Sequence, residues 1–169
     1  MIGCRTGLRY SDYSDLKPHN FTNDGYLERI QSKTKDKVVI PIHPRVKFLI
    51  EKYNGKLPTA ISNQKTNDYL KEIGKKVEEL HTKISKTSSK GGMEVTASLN
   101  KYQCITSHTA RRSFATNEYL AGTPLLSIMS ITGHKTEKSF MKYIKLSSRE
   151  HAKVLQMNWD KRFSRTASN

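Results

Sequence analysis

The chain has 169 residues, 35% hydrophobic and 27% charged, with Lys+Arg 30 against Asp+Glu 15. That is enough for one domain with a core. No apolar run approaches the ~20 residues that span a bilayer, and the opening MIGCRTGLRY lacks the apolar stretch of a secretory signal. The net charge of +15 is spread along the chain and points to a polyanion, most simply nucleic acid, ahead of a ribosome-associated or merely soluble basic protein. Cys4 and Cys104 make no disulfide framework and read as reduced thiols of a cytoplasmic protein.

In chain order, Ser11 or a nearby threonine caps a short helix, and Leu8 and Leu16 face inward. Tyr26 to Ser32 and Lys37 to Ile42 read as two strands. Val38, Val39, Ile40 and Ile42 are β-branched, Thr34-Lys35-Asp36 is the polar turn, and Lys33 stands beside it. Pro41 suits an edge or the end of the second strand. A helix follows from His43 to Tyr53, with Pro44 in its first turn and Val46, Leu49, Ile50 and Tyr53 on one face. Ser62 to Leu80 is the clearest helical pattern, with Leu70, Ile73, Val77 and Leu80 as its apolar stripe.

Residues 81–106 change character and read as an insertion. SKTSSKGG is a polar loop signal, and Met93 to Leu99 and Tyr102 to Thr106 read as short strands. Ser107 to Ala121 is a helix with Ala110, Phe114 and Ala121 on one side. His108, Arg111 and Arg112 fall on the opposite side, which predicts that they are displayed. Leu125 to Ile131 is a short apolar helix ended by Gly133, and Glu137 to Ile144 is another, carrying Tyr143. Ser148 caps the last helix, whose stripe is Ala152, Leu155, Trp159 and Phe163. That stripe either docks on a second copy or closes the chain's own core. Arg165 to Asn169 is expected to fray.

The stretch from His108 to Tyr143 holds His108-x-x-Arg111, then Gly133-His134, then Tyr143 nine residues on. A second arginine stands in Thr6-Gly7-Leu8-Arg9. Each part alone is common: a surface salt bridge, a solvated polar helix face, a core aromatic. Their order and spacing resemble the catalytic domain of the tyrosine recombinases, the phage integrase family, from about residue 3 to about residue 150. The resemblance implies an α+β, mainly helical fold with a small antiparallel sheet. It implies site-specific DNA recombination or integration of a mobile element such as a phage or transposon. It also implies that residues 1–169 are an N-terminally incomplete catalytic domain, without core-binding and arm-binding domains.

The residue types suit that chemistry. Attack on a phosphodiester builds negative charge on the non-bridging oxygens, and fixed donors around phosphorus stabilise it. Arginine is always charged and grips two oxygens at once, so Arg9 and Arg111 are the expected phosphate ligands. By the resemblance Tyr143 is the nucleophile, giving a 3′-phosphotyrosine link that a second 5′-hydroxyl reseals without metal, ATP or other cofactor. The leaving 5′-oxygen needs a proton. By the resemblance Lys33, eight residues before Pro41, matches the position of the family's general-acid lysine, with Lys35 and Lys37 as competitors if the hairpin slips. His108 donates to a phosphate oxygen or accepts the tyrosine proton, and His134 binds a phosphate oxygen and sets the Tyr143 helix. The two histidines lack zinc spacing. Asp12 either orients Arg9 by an ion pair or is a helix-surface acid. Lys35, Arg112, Lys135 and Lys142 are candidate DNA-backbone contacts.

The expected partner is double-stranded DNA. The resemblance implies a tetramer on two DNA sites for the full-length protein and a monomer for this chain alone. Two rivals stand beside recombination. One is type IB topoisomerase-like nicking and closing, and the other is a DNA-binding remnant that does not cut.

Overall fold

The computed structural model describes residues 1–144 and 146–166. Among them are eight α-helices and two two-stranded antiparallel sheets. In order these are α1 (Ile2–Thr6), α2 (Tyr10–Tyr13), β1 (Tyr26–Ile30), β2 (Lys37–Pro41), α3 (Pro44–Lys52) and α4 (Asn63–Gly74). Then come β3 (Lys83–Lys90), β4 (Met93–Asn100), α5 (Ser107–Leu120), α6 (Leu125–Thr132), α7 (Glu137–Ile144) and α8 (Ser148–Thr166). The chain forms two compact units, Met1–Thr59 with Ala110–Asn169, and Ala60–Thr109. Among the described residues no helix is long and apolar enough to cross a membrane.

The first unit has two apolar clusters. Leu8, Leu16, Leu27, Val38 and Ile40 form one, so the two leucines do face inward as their pattern predicts. Phe114, Ala115, Ile128, Met129, Phe140 and Ile144 form the other, and Ile131 packs against both. The β1–β2 register runs from Tyr26 opposite Pro41 to Ile30 opposite Lys37. Val38 and Ile40 point in while Lys37, Val39 and Pro41 point out, the period of two of a half-buried strand. Pro41 is the last residue of its strand, as expected. Both strands are shorter than their β-branched pattern suggests, so the turn spans residues 31–36 and Lys33 lies within it rather than before it.

Helix α5 departs from its reading. The helical period predicts Arg111 on a displayed face, yet Arg111 is only 2% exposed. Helix α6 ends at Gly133 as expected, with that residue left-handed at φ 59°. The cap of α8 is Ser147 rather than Ser148. Its backbone N–H and hydroxyl donate to Glu150 at 2.7 and 2.6 Å, while the Glu150 N–H donates back to its Oγ, a capping box. Leu155, Trp159 and Phe163 are exposed, the last two at 49% and 70%, so this stripe does not close a core within the described residues. The expected fraying over 165–169 falls partly outside the described residues, since α8 extends to Thr166.

The second unit is described by itself. Helix α4 stops at Gly74 instead of continuing to Leu80, which sits in a separate 3-10 turn, Glu78–Leu80. An added Cβ on Gly74 would come within 2.8 Å of Ile105 and 3.1 Å of Tyr102. The helix packs there through its bare backbone, and Ile73, assigned to the apolar stripe, is 61% exposed. The SKTSSKGG segment is strand β3 and a turn, not a loop. It pairs with β4 from Lys83 opposite Asn100 to Lys90 opposite Met93. Gly91 and Gly92, at φ 59° and 81°, supply the two left-handed residues of a tight hairpin turn. Residues 101–104 are a 3-10 turn, which takes the place of the strand expected from Tyr102 to Thr106. Ser107 anchors the start of α5 on α4, its N–H donating to Asn67 and its hydroxyl to Asn63, both at 2.8 Å.

Candidate active site

The site is built from the first unit outward from Arg111. Its Nη1 donates to Gly7 O at 2.6 Å and its Nη2 to Thr132 O. Gly7 closes α1 and Thr132 is the last residue of α6, so both acceptors sit at helix C-termini, where carbonyls carry partial negative charge. That explains why a cation is buried on a face that the helical period would display. Burial pulls the Arg111 guanidinium down from 12.5 to about 10, with Arg9 adding to the effect and Tyr143 and Asp12 opposing it. It therefore stays charged at neutral pH.

Arg9 approaches from the N-cap of α2. Its Nη1 donates to Gln31 Oε1 at 2.5 Å. Two guanidiniums in each other's field are an unfavourable pair until an anion joins them. Asp12 does not ion-pair with Arg9. It is fully buried, and its Oδ1 accepts the Ser32 N–H at 2.7 Å. Its other oxygen is buried with no hydrogen-bond partner among the described residues.

Tyr143 rides on α7 between Phe140 and Ile144, both buried. Burying such side chains stabilises by roughly 1.5–3 kcal/mol each, so the phenol is carried on an anchored helix. The Arg112 guanidinium lies 5.7 Å from the centre of the Tyr143 ring, and the His134 ring centre lies 4.6 Å away, tilted by 54°. Burial raises the Tyr143 phenol above its usual range, against the pull of Arg111, Arg112 and Arg9. The free protein thus holds a protonated phenol among three arginines.

His134 follows the Gly133 turn. Its Nδ1 lies 2.8 Å from Thr132 Oγ1, and that hydroxyl lies 2.7 Å from Ile128 O. With the hydroxyl proton given to Ile128 O, Oγ1 accepts from Nδ1–H, which leaves Nε2 as the acceptor of the neutral ring. The Phe140 ring packs edge-on at 5.4 Å. Thr132 therefore positions the histidine as well as packing beside it.

Lys33 and Lys35 are exposed in the β1–β2 turn, and Lys35 has φ 60°. The turn itself is tethered by Gln31, by Ser32 to Asp12, and by Asp36, whose carboxylate meets Lys135 Nζ at 2.6 Å. Lys135 is thus in an ion pair, and Lys142 is exposed on α7. His108 is exposed in the first turn of α5, one turn before Arg111, and its backbone belongs to the second unit. Arg9, Arg111, Arg112, His134 and Tyr143 are brought together in the first unit, with the Lys33 turn tied to them.

Sequence reasoning passes over Gln31. It is fully buried, and its Nε2 donates to Ile131 O at 2.9 Å. A signal did exist. Gln31 continues the inward parity of Leu27, and a polar residue at an inward position needs partners.

No curated protein sequence matches the chain. Among solved structures it is similar to the XerA recombinase, with a TM-score of 0.63 and 16% identity over 93% of this chain and 55% of that one. It is similar to the Tn1549 transposon integrase in complex with circular intermediate DNA, with a TM-score of 0.58 and 16% identity over 92% and 55%. The catalytic domain of bacteriophage HP1 integrase is also similar, at 0.54 and 18% identity, over 93% and 78%. The chain spans 55% of the length of the first two. At such identities the likeness is one of fold, an α+β, mainly helical architecture with small antiparallel sheets. The phage integrase family model matches residues 1–150, and the chain belongs to that family.

Proposed function

We propose that this chain cuts and rejoins DNA through Tyr143, as the catalytic part of a site-specific tyrosine recombinase of a mobile element. The observation that carries the reading is that Arg9 and Arg111, remote in sequence, are both held at the end of α6, Arg111 on Thr132 O and Arg9 through Gln31 on Ile131 O, next to His134, whose ring centre lies 4.6 Å from that of Tyr143. The pair supplies fixed positive donors for a phosphodiester, and the mutual repulsion of the pair favours an anion between them. Tyr143 Oη attacks phosphorus, the bond to the 5′-oxygen breaks, and a 3′-phosphotyrosine forms. The phenol proton passes to an acceptor, for which His108 is our candidate. The 5′-oxygen takes a proton from Lys33. His134 Nε2, in its protonated form, hydrogen-bonds a phosphate oxygen. The reverse attack by another 5′-hydroxyl conserves the bond and completes the exchange.

Double-stranded DNA as partner is supported by the +15 charge and by the Tn1549 integrase, which is solved with DNA. Strand exchange in this reading uses four protomers on two sites, and the exposed stripe of α8 is the face we assign to a neighbouring copy. Off DNA the chain is a monomer, which sedimentation with and without duplex tests.

The deciding experiment is covalent trapping. The chain is mixed with nicked duplex DNA spanning the end of the element that carries its gene, denatured in detergent, and run beside Tyr143→Phe. A protein–DNA band lost in the variant is the expected result. A band kept in the variant overturns Tyr143 as nucleophile. Binding with no band in either protein overturns cleavage by this chain.

A further inference from the structure

We infer that Gln31 is a positioning residue, whose neutral carboxamide holds the Arg9 guanidinium against the junction between α6 and α7 and ties the Lys33 turn to both. The inference rests on Arg9 as a phosphate ligand. Gln31 Oε1 accepts from Arg9 Nη1 at 2.5 Å, and Nε2 donates to Ile131 O at 2.9 Å. Thr34 Oγ1 donates to the same Oε1 at 3.4 Å. The Gln31 backbone closes the turn as well, donating to Asp36 O and accepting from Lys35 N, both at 2.9 Å. One residue thus joins the start of α2, the lysine-bearing turn and the segment before His134.

The chemistry asks for an amide. Glutamate at neutral pH has no N–H for Ile131 O, and its charge would neutralise Arg9 instead of leaving it for the phosphate. Methionine would leave the Ile131 carbonyl and an Arg9 N–H without this partner. Arg9 is long and rotamer-rich, so fixing it before DNA arrives lowers the ordering cost of reaching the transition state. Gly133 makes room, because a Cβ there would lie 2.8 Å from Gln31 Oε1.

The test is single-turnover formation of the covalent adduct by the 169-residue chain. Gln31→Met and Gln31→Glu are made in the wild-type and in the Arg9→Ala background. At saturating DNA each is expected to slow the adduct roughly 10- to 100-fold, with duplex affinity near wild type. In the Arg9→Ala background each should cost much less, only what the Lys33 turn loses, because the route through Arg9 is gone. Equal loss in both backgrounds overturns the inference, and so does a wild-type rate in either variant. Melting temperatures check folding, and the isosteric glutamate covers a methionine variant that fails to fold. A wild-type chain that makes no adduct sinks the cleavage reading and leaves this one to a second measurement, thermal stabilisation by inorganic orthovanadate. Stabilisation of the wild-type chain, lost in Arg9→Ala and in both Gln31 variants, is expected. Stabilisation kept in the Gln31 variants, or absent from the wild type, overturns it.

Discussion

Replacing Gly133 by alanine separates backbone strain from site geometry. Gly133 is left-handed at φ 59°, where a Cβ costs roughly 1–2 kcal/mol. In a chain of this size that strain lowers the melting temperature by about 2–8 °C. The same Cβ would lie 2.8 Å from Gln31 Oε1 and 3.6 Å from Arg9 Nη2. The nearer atom ends a flexible side chain, so the amide gives way and the Arg9 bond goes with it. A hydrogen bond to a charged group contributes about 1.5–3 kcal/mol, which converts to a roughly 10- to 150-fold slower adduct step. Gly25→Ala is the control. It has φ 89° and nothing within 4 Å of an ideal Cβ, so it should melt lower without losing rate. The assay pairs heat denaturation with single-turnover adduct formation for the three proteins. A Gly133→Ala chain that melts lower but cleaves at the wild-type rate would refute the link from Gly133 through Gln31 to Arg9.

Four further outcomes are expected. Lys33→Ala should slow cleavage roughly 10²- to 10⁴-fold. A substrate with sulfur at the 5′-bridging position should restore it, because a thiolate leaves without a proton; if Lys35→Ala alone shows this rescue, the general acid is Lys35. Arg111→Met leaves Gly7 O and Thr132 O without their donor, about 1–3 kcal/mol each, but removes a buried cation whose burial costs about 3 kcal/mol. The net loss in a urea titration should stay below about 3 kcal/mol while adduct formation disappears, and a much larger loss would make Arg111 chiefly structural. The Tyr143 phenol is raised above 10.0 by burial. Its contribution to stability is therefore intact below pH 10 and lost as pH climbs through the folded value, so the wild type should lose stability faster than Tyr143→Phe above pH 10, and parallel curves would count against it. Asp36→Asn frees Lys135 from its ion pair. DNA affinity should rise and its salt dependence steepen by about one ion, with stability changed by less than about 1 kcal/mol; unchanged affinity would remove Lys135 from the DNA face.

Much of the first unit is legible from local pattern. Leu8 and Leu16, the β-branched second strand closed by Pro41, the Gly133 stop and the helix carrying Tyr143 all follow from patterns that act over a few residues. Segments without such a pattern misread. SKTSSKGG is rich in serine and lysine and looks like a loop, yet cross-strand partners from Met93 to Asn100 make it a strand. The α4 stripe runs past Gly74 on paper, whereas the helix ends there, where Tyr102 and Ile105 pack close to its backbone.

The candidate site divides in the same way. Order and spacing, through the family resemblance, nominate Arg9, Lys33 (with Lys35 and Lys37 as competitors), His108, Arg111, His134 and Tyr143 as candidates, because a residue's chemistry and its place in a motif are written in the chain. That Arg111 is buried on two helix C-termini, that Asp12 serves Ser32 rather than Arg9, and that Gln31 holds Arg9 are decided by tertiary structure. Each depends on a carbonyl, N–H or charge contributed by a residue distant in sequence. Periodicity ranks faces by apolarity and gives no account of such partners, so the candidate groups are named before folding while their alignment comes from it.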